Sequence, residues 1–353
     1  MGEVAAGGAR DRGDMTTRTL PTTPATALPA TAALPTTPAP PTTRPGRGSL
    51  FLRAAAMAAT LPYLTLKGAW LAGSHLGIPP GSVLLDPGPF FMAVNAVSMA
   101  MDATVVLLVL LLTRPWGLRV PSWALTVPVF AATGLLTPIV LGYPGQLLVQ
   151  AAGLGADGAA RAAAGPFLDP WVFGVVYGGF IVQGIALAGL FVPYARRRWG
   201  RLWQGAPGRR LPSPTGVVAG AAAVAGAVTA TAYLYWTCGG GAGLSARRAA
   251  EYSAETGVVS AVHALCALAA AAGAVLLARG GPWRAAGPLA LTWVGAAAAL
   301  SWGTWLLFAA LAPETGPADS PGGGMVAAYA GQMLTGLLAA AVLIRFLRSR
   351  RTV

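Results

Sequence analysis

The chain has 353 residues, 55% of them hydrophobic and only 10% charged, with a mean hydropathy of +0.61. A soluble domain carries about a quarter charged residues, so this composition excludes an ordinary soluble fold and places the chain among membrane proteins. The net charge of +13 does not mark a nucleic-acid binder, because the arginines stand in short clusters between apolar runs; that arrangement sets membrane topology and builds no phosphate-binding face.

Residues 1–48 repeat proline and threonine without an apolar period, as in "TTRTLPTTPATALPATAALPTTPAPPTTRPGRG". Such a segment buries too little surface to offset its ordering entropy, and it reads as a disordered cytoplasmic tail. It contains no apolar core of the signal-peptide kind. Met15 opens "MTTRTLPTT" and is a second candidate start.

Residues 49–353 read as a transmembrane helical domain: an all-α polytopic bundle of about eight spans. Apolar runs of about 20 residues, each long enough to cross about 30 Å of hydrocarbon, fall roughly at 52–78, 90–113, 120–143, 170–194, 215–237, 257–279, 286–312 and 325–347. The breaks are proline, glycine and arginine clusters such as "TRPWGLRVP", "ARRRWGRLWQGAPGRRLPSP" and "RGGPWR", where helices stop.

Loop charge orients these spans. One side collects 20 arginines and the other only Arg161, Arg247 and Arg248. The positive-inside rule then puts both termini in the cytoplasm of a plasma-membrane protein. The acids agree, with Asp86, Asp157, Asp169, Glu251, Glu255, Glu314 and Asp319 on the poorer side. Two stretches, "LLTRPWGLRVPSWALTVPVF" and "LLARGGPWRAAGPLALTWVG", share LL-x-R, Pro-Trp, an arginine and Ala-Leu-Thr. Their offset of four spans predicts two parallel repeats of four helices each, related by an axis along the membrane normal.

Two charges fall inside the spans. Lys67, the only lysine of the chain, lies in span one, and Asp102 is the only acid inside a span. If span one runs to Ile78 and span two starts near Phe90, both charges lie about 17–18 Å deep at 1.5 Å per residue. Each alone costs about 2.5–3.5 kcal/mol at a helix centre, so the two are expected to face each other as an intramembrane pair or to share a polar cavity. Tyr63, Lys67, Trp70 and Ser74 recur on one face of span one. Met92, Asn95, Met99 and Asp102 do so on span two. His75, Gln183, His263 and Gln332 are further candidates for a polar lining open to the arginine-poor side, although each also suits a single interhelical hydrogen bond. Gly73-x3-Gly77, Gly174-x3-Gly178 and Gly216-x3-Gly220 are small-residue spacings of the kind that lets helices approach.

Cys238 and Cys266 form no CxxC or Cys/His cluster and read as small apolar side chains. No phosphate loop, zinc-protease, nucleophile-elbow or haem spacing is present, so no catalytic residue, metal or cofactor is expected, and the chain reads as a non-enzyme. The stretches "YLTLKGAWLAGSHLGI" and "NAVSMAMDATVVLLVLLLTRPWGLRVPSWAL" resemble uncharacterised multi-pass membrane proteins of actinobacteria. That resemblance implies a membrane location and no particular activity. Two functions fit these residues. One is a transporter-like or permease-like protein for a small molecule or ion, with Asp102 as the protonatable group. The other is an accessory membrane subunit in which the Lys67–Asp102 pair only fixes helix packing. In either case the lipid bilayer is the partner the composition demands.

Overall fold

The structure is a computed structural model that describes residues 46–350, except 83, 86, 87, 209 and 312–320. Residues 1–45, and with them nearly all of the expected tail and Met15, lie outside the described residues, as do Asp86, Glu314 and Asp319. Arg47, at the end of that expected tail, is already helical.

Among the described residues there are eight long helices: α1 (Arg47–Leu71), α2 (Pro89–Thr113), α3 (Ser122–Ala151), α5 (Pro170–Trp199), α6 (Thr215–Thr237), α8 (Ala254–Arg279), α9 (Ala286–Ala310) and α10 (Gly323–Ser349). Two short ones, α4 (Gly158–Ala164) and α7 (Ala246–Ala250), lie on the arginine-poor side. All eight long helices are apolar enough to cross a membrane, and the chain is a multi-pass membrane protein. In hydrocarbon every backbone group must be satisfied internally, and a helix does that within one segment. Pro128, Pro138 and Pro144 lie inside α3 and are tolerated because neighbouring helices and local adjustments satisfy the freed carbonyls.

The expected spans match these helices closely except at two ends: α3 runs on to Ala151, eight residues past the expected end at 143, and α1 stops early, with consequences for the site. Span one ends at Leu71, not near Ile78. Gly73 takes φ +86°, a left-handed conformation that only glycine adopts at low cost, and the Gly73 N–H bonds to the Trp70 carbonyl at 3.0 Å. The indole of Trp70 then donates to Leu76 O at 2.8 Å and folds the following loop back over the helix end.

The helices pack as two groups of four. α1, α2, α3 and α5 surround one core that includes Leu108, Leu125 and Tyr194. α6, α8, α9 and α10 surround two alanine-rich cores. The groups meet where α3 packs on α9 and α8. Packing is denser in the second group: 56% of the apolar stretch of α8 is buried, against 17% in α1. The closest backbone approaches between helices run through glycines outside the expected small-residue spacings; of the expected ones Gly77 is tightly packed, where a Cβ would lie 2.4 Å from Val172 Cγ2 of α5. A Cβ at Gly134 of α3 would lie 2.2 Å from the Ala297 carbonyl oxygen of α9, and one at Gly336 of α10 would lie 2.3 Å from Leu300 N. Gly178 and Gly220 face open space, and Gly73 and Gly77 belong to the loop after α1. Here the spacing alone did not identify the contacts, because Ala- and Gly-rich spans contain it on every face.

One helix end of the second group repeats one of the first. Trp236 ends α6 as Trp70 ends α1, and its indole donates to Ala242 O at 3.0 Å, again six residues on. Gly239 and Gly243 have φ +86° and +82°, matching +86° and +75° at Gly73 and Gly77. The N–H bonds Gly73 to Trp70 O and Gly239 to Trp236 O have the same length, 3.0 Å. These shared helix ends agree with the expected parallel arrangement of two four-span units.

Candidate functional site

Lys67 lies in the last turns of α1, four residues before its end and therefore only about 6 Å from it. Asn95 and Ser98 lie on the facing side of α2, in its second and third turns. The Lys67 ammonium donates to Asn95 Oδ1 at 2.6 Å and to Ser98 Oγ at 2.6 Å. It also lies 5.0 Å from the centroid of the Tyr63 ring, one turn back on α1, within range of a cation–π attraction. Tyr63 is held edge-on by Phe180 of α5 at 5.0 Å. Lys67 is 6% exposed and Asn95 3%.

Asp102 follows Ser98 by one turn of α2 and is 5% exposed. It shares the site, since Lys67 and Tyr63 both interact with it electrostatically. No hydrogen bond or ion pair joins its carboxylate to any described residue. Of the two expected arrangements, a direct pair or a shared polar site, the structure has the second: the ammonium rests on two neutral acceptors nearer the helix end, with Asp102 one turn further along α2. The physical reason is the early stop of α1: it raises Lys67 by about two turns relative to a span ending at Ile78 and brings it level with Asn95. Ser98 escaped the sequence reading. Its signal was present, for it sits three residues after Asn95 and four before Asp102, on the same helical face.

A cavity of about 180 Å³ opens beside this site on the arginine-poor side. Trp70, Ser74, His75, Met92 and Asn95 line it, together with loop leucines. Asn95 thus contacts the cavity and the Lys67 ammonium at once. Ser74 lies beyond the helix, where its hydroxyl accepts from Leu76 N at 3.3 Å, so it reaches the cavity from the loop and not from the expected helical face. Met92 is 40% exposed and belongs to the cavity rim, not to a buried stripe.

The remaining candidates fall elsewhere. His263 of α8 and Gln332 of α10 form a separate buried cluster in the second group. Tyr233 Oη donates to Gln332 Oε1 at 2.5 Å, and Gln332 Nε2 lies 3.0 Å from His263 Nδ1. The amide nitrogen can only donate, so Nδ1 accepts and the ring proton is assigned to Nε2. The imidazole stacks on Tyr233 at 5.2 Å and meets Trp302 edge-on at 5.6 Å. Gln183 of α5 is 1% exposed, and both of its amide atoms lack a partner among the described residues. These three residues therefore do not line one vestibule with Lys67.

The two polar centres occupy matching places. Tyr233 stands three residues before Trp236, as Lys67 stands three before Trp70. His263 precedes Arg279 by the same interval that separates Ser98 from Arg114. Among the described residues no group of three or more His, Cys, Asp or Glu is placed to hold a metal ion. No protein family, curated protein or solved structure matches the chain.

Proposed function

We propose that the protein is a permease-like, non-enzymatic plasma-membrane protein with both termini cytoplasmic, and that Asp102 takes up and releases a proton as a small molecule or ion is moved. The observation that carries this reading is the partnering of the two buried charges. Lys67 rests on Asn95 and Ser98, while Asp102, one turn away, has no hydrogen bond to any described residue. An ionised carboxylate in that position is costly and has two ways out: protonation, or recruitment of the ammonium.

The lysine stem is long enough to serve both ends. With Asp102 protonated, the ammonium stays on Asn95 and Ser98. With Asp102 ionised, Coulomb attraction favours a position about one turn, or ~6 Å, further along α2. Asn95 would then lose its partner and present its carboxamide to the cavity. A ligand that bonds Asn95 better when Lys67 has left is linked to the proton through that differential affinity.

Infrared difference spectroscopy of the protein in liposomes, stepped from acid to alkaline pH, tests this directly. A carboxylic-acid band should disappear on the alkaline side, and Asp102→Asn should abolish it. Absence of any band sensitive to Asp102→Asn overturns the proposal.

The Lys67 bonds to Asn95 and Ser98 also pin α1 to α2, which supports the second reading, an accessory subunit in which the charges serve packing. Under that reading Lys67→Met combined with Asp102→Leu leaves a folded and active protein. Under the first reading the double variant folds and is inactive.

A further inference from the structure

A cavity of about 650 Å³ lies in the other half of the membrane-spanning region, against α3, α5 and α9 where the two helix groups meet. We propose that it is a binding groove for one acyl chain of an anionic phospholipid, with the lipid phosphate held by Arg196.

The walls dictate an apolar occupant. Three threonines line the groove, and all three hydroxyls are already engaged: Thr126 donates to Ser122 O at 2.9 Å, Thr133 to Val129 O at 2.8 Å and Thr137 to Thr133 O at 2.6 Å. Nothing along this stretch asks for a polar ligand, and an apolar cleft of this size within a bilayer is filled by lipid at no desolvation cost. The shape is long. Its lining runs from Thr126 to Leu141 on α3 and from Gly184 to Trp199 on α5, about 22 Å on each helix, which suits a chain more than a compact solute.

Charge fixes the headgroup. Arg196 is the one charged residue among those lining the groove, it is exposed, and it makes no hydrogen bond or ion pair with any described residue. Arg198, two residues on, is fully used: it donates to Tyr194 Oη at 2.6 Å, to Gly117 O at 3.2 Å and to Val120 O. The Arg196 guanidinium thus stands at the arginine-rich mouth of an apolar groove. Trp199 and Trp203 flank it, as amphipathic rings do at headgroup depth. A guanidinium recognises a phosphate through paired hydrogen bonds, and basic sites between helices select anionic headgroups in this way.

Native mass spectrometry of the full chain, released from mild detergent after exposure to phosphatidylglycerol or to phosphatidylcholine with the same chains, tests the proposal. One phosphatidylglycerol should be retained in preference to phosphatidylcholine. Arg196→Ala should weaken retention about fivefold, and Arg197→Ala, which removes an exposed arginine outside the groove, should not. Ala188→Trp, from an exposed position on the α5 wall, should block the chain and remove the lipid. Ala290→Trp does the same from α9 and gives an independent reading if the first variant folds poorly. Equal retention of the two lipids, identical behaviour of Arg196→Ala and Arg197→Ala, or full retention in a folded tryptophan variant each overturns the proposal.

Discussion

Gln183 and Gln332 lie in the fourth long helix of their respective groups and are equally buried, at 1% and 0% exposure, yet only Gln332 has partners. The Gln332 amide bridges Tyr233 of α6 to His263 of α8, so three helices are joined through one side chain. Gln183 makes no side-chain hydrogen bond to any described residue. An unmade bond and a made one have opposite consequences on removal.

Replacing Gln332 by Leu should therefore destabilise the protein by about 2–4 kcal/mol, since a phenol and an imidazole are each left without a partner. Gln183→Leu should raise stability by about 1–3 kcal/mol, because an unsatisfied amide becomes an apolar side chain. Thermal unfolding of both variants in one detergent checks the pair. A loss of stability in Gln183→Leu would show that a bound water or ligand serves that amide.

Asn95 and Asp102 separate in a similar way. Asn95→Ala removes one of the two acceptors of a buried ammonium and should cost about 1.5–3 kcal/mol. Asp102→Asn removes no hydrogen bond and should change stability by less than about 1 kcal/mol, while abolishing the proton-linked carboxyl signal. If denaturant or thermal melts rank the two variants the other way, Lys67 rests on the carboxylate in the membrane.

Glycine substitutions distinguish real close approaches from mere spacing. Gly134→Ala drives a methyl group against the backbone of α9 and should cost about 1–3 kcal/mol. Gly178→Ala meets nothing within 4 Å and should be neutral or slightly stabilising. Melting temperatures of the two alanine variants, compared with wild type, report the difference.

The proposed orientation predicts the chemistry of the two thiols. Cys238 is exposed at the end of α6 on the arginine-poor side, and Cys266 is 3% exposed inside α8. In intact cells a membrane-impermeant maleimide should label Cys238, and Cys238→Ser should remove the label. Labelling that appears only in inverted vesicles reverses the orientation.

The spans were legible in the sequence because hydrocarbon thickness and helical rise leave little freedom in their length. The end of α1 was not. "AGSHLGI" continues without charge or proline, and what stops the helix is the left-handed turn at Gly73 with the Trp70 indole folded over it. That local event moved Lys67 by about two turns and changed its acceptors from a carboxylate to an amide and a hydroxyl. The facing of spans one and two was readable from periodicity; which side chains would meet was not, since it depends on register. The short helices α4 and α7 left only their caps as signals, Asp157 accepting from Ala160 N and Ser245 from Arg248 N.

The recurring tryptophan lock bears on how many charged sites one molecule has. A four-span unit begins and ends on the same side, so joining two of them head to tail needs no extra crossing and forces a common orientation. Two identical units would place a lysine in hydrocarbon twice. Here the second unit carries Tyr233 at the position where the first carries Lys67. A phenol hydrogen-bonded to Gln332 takes the place of the ammonium there. Among the described residues the buried ammonium thus occurs in one four-helix group alone, and the matching place in the other group is held by uncharged side chains.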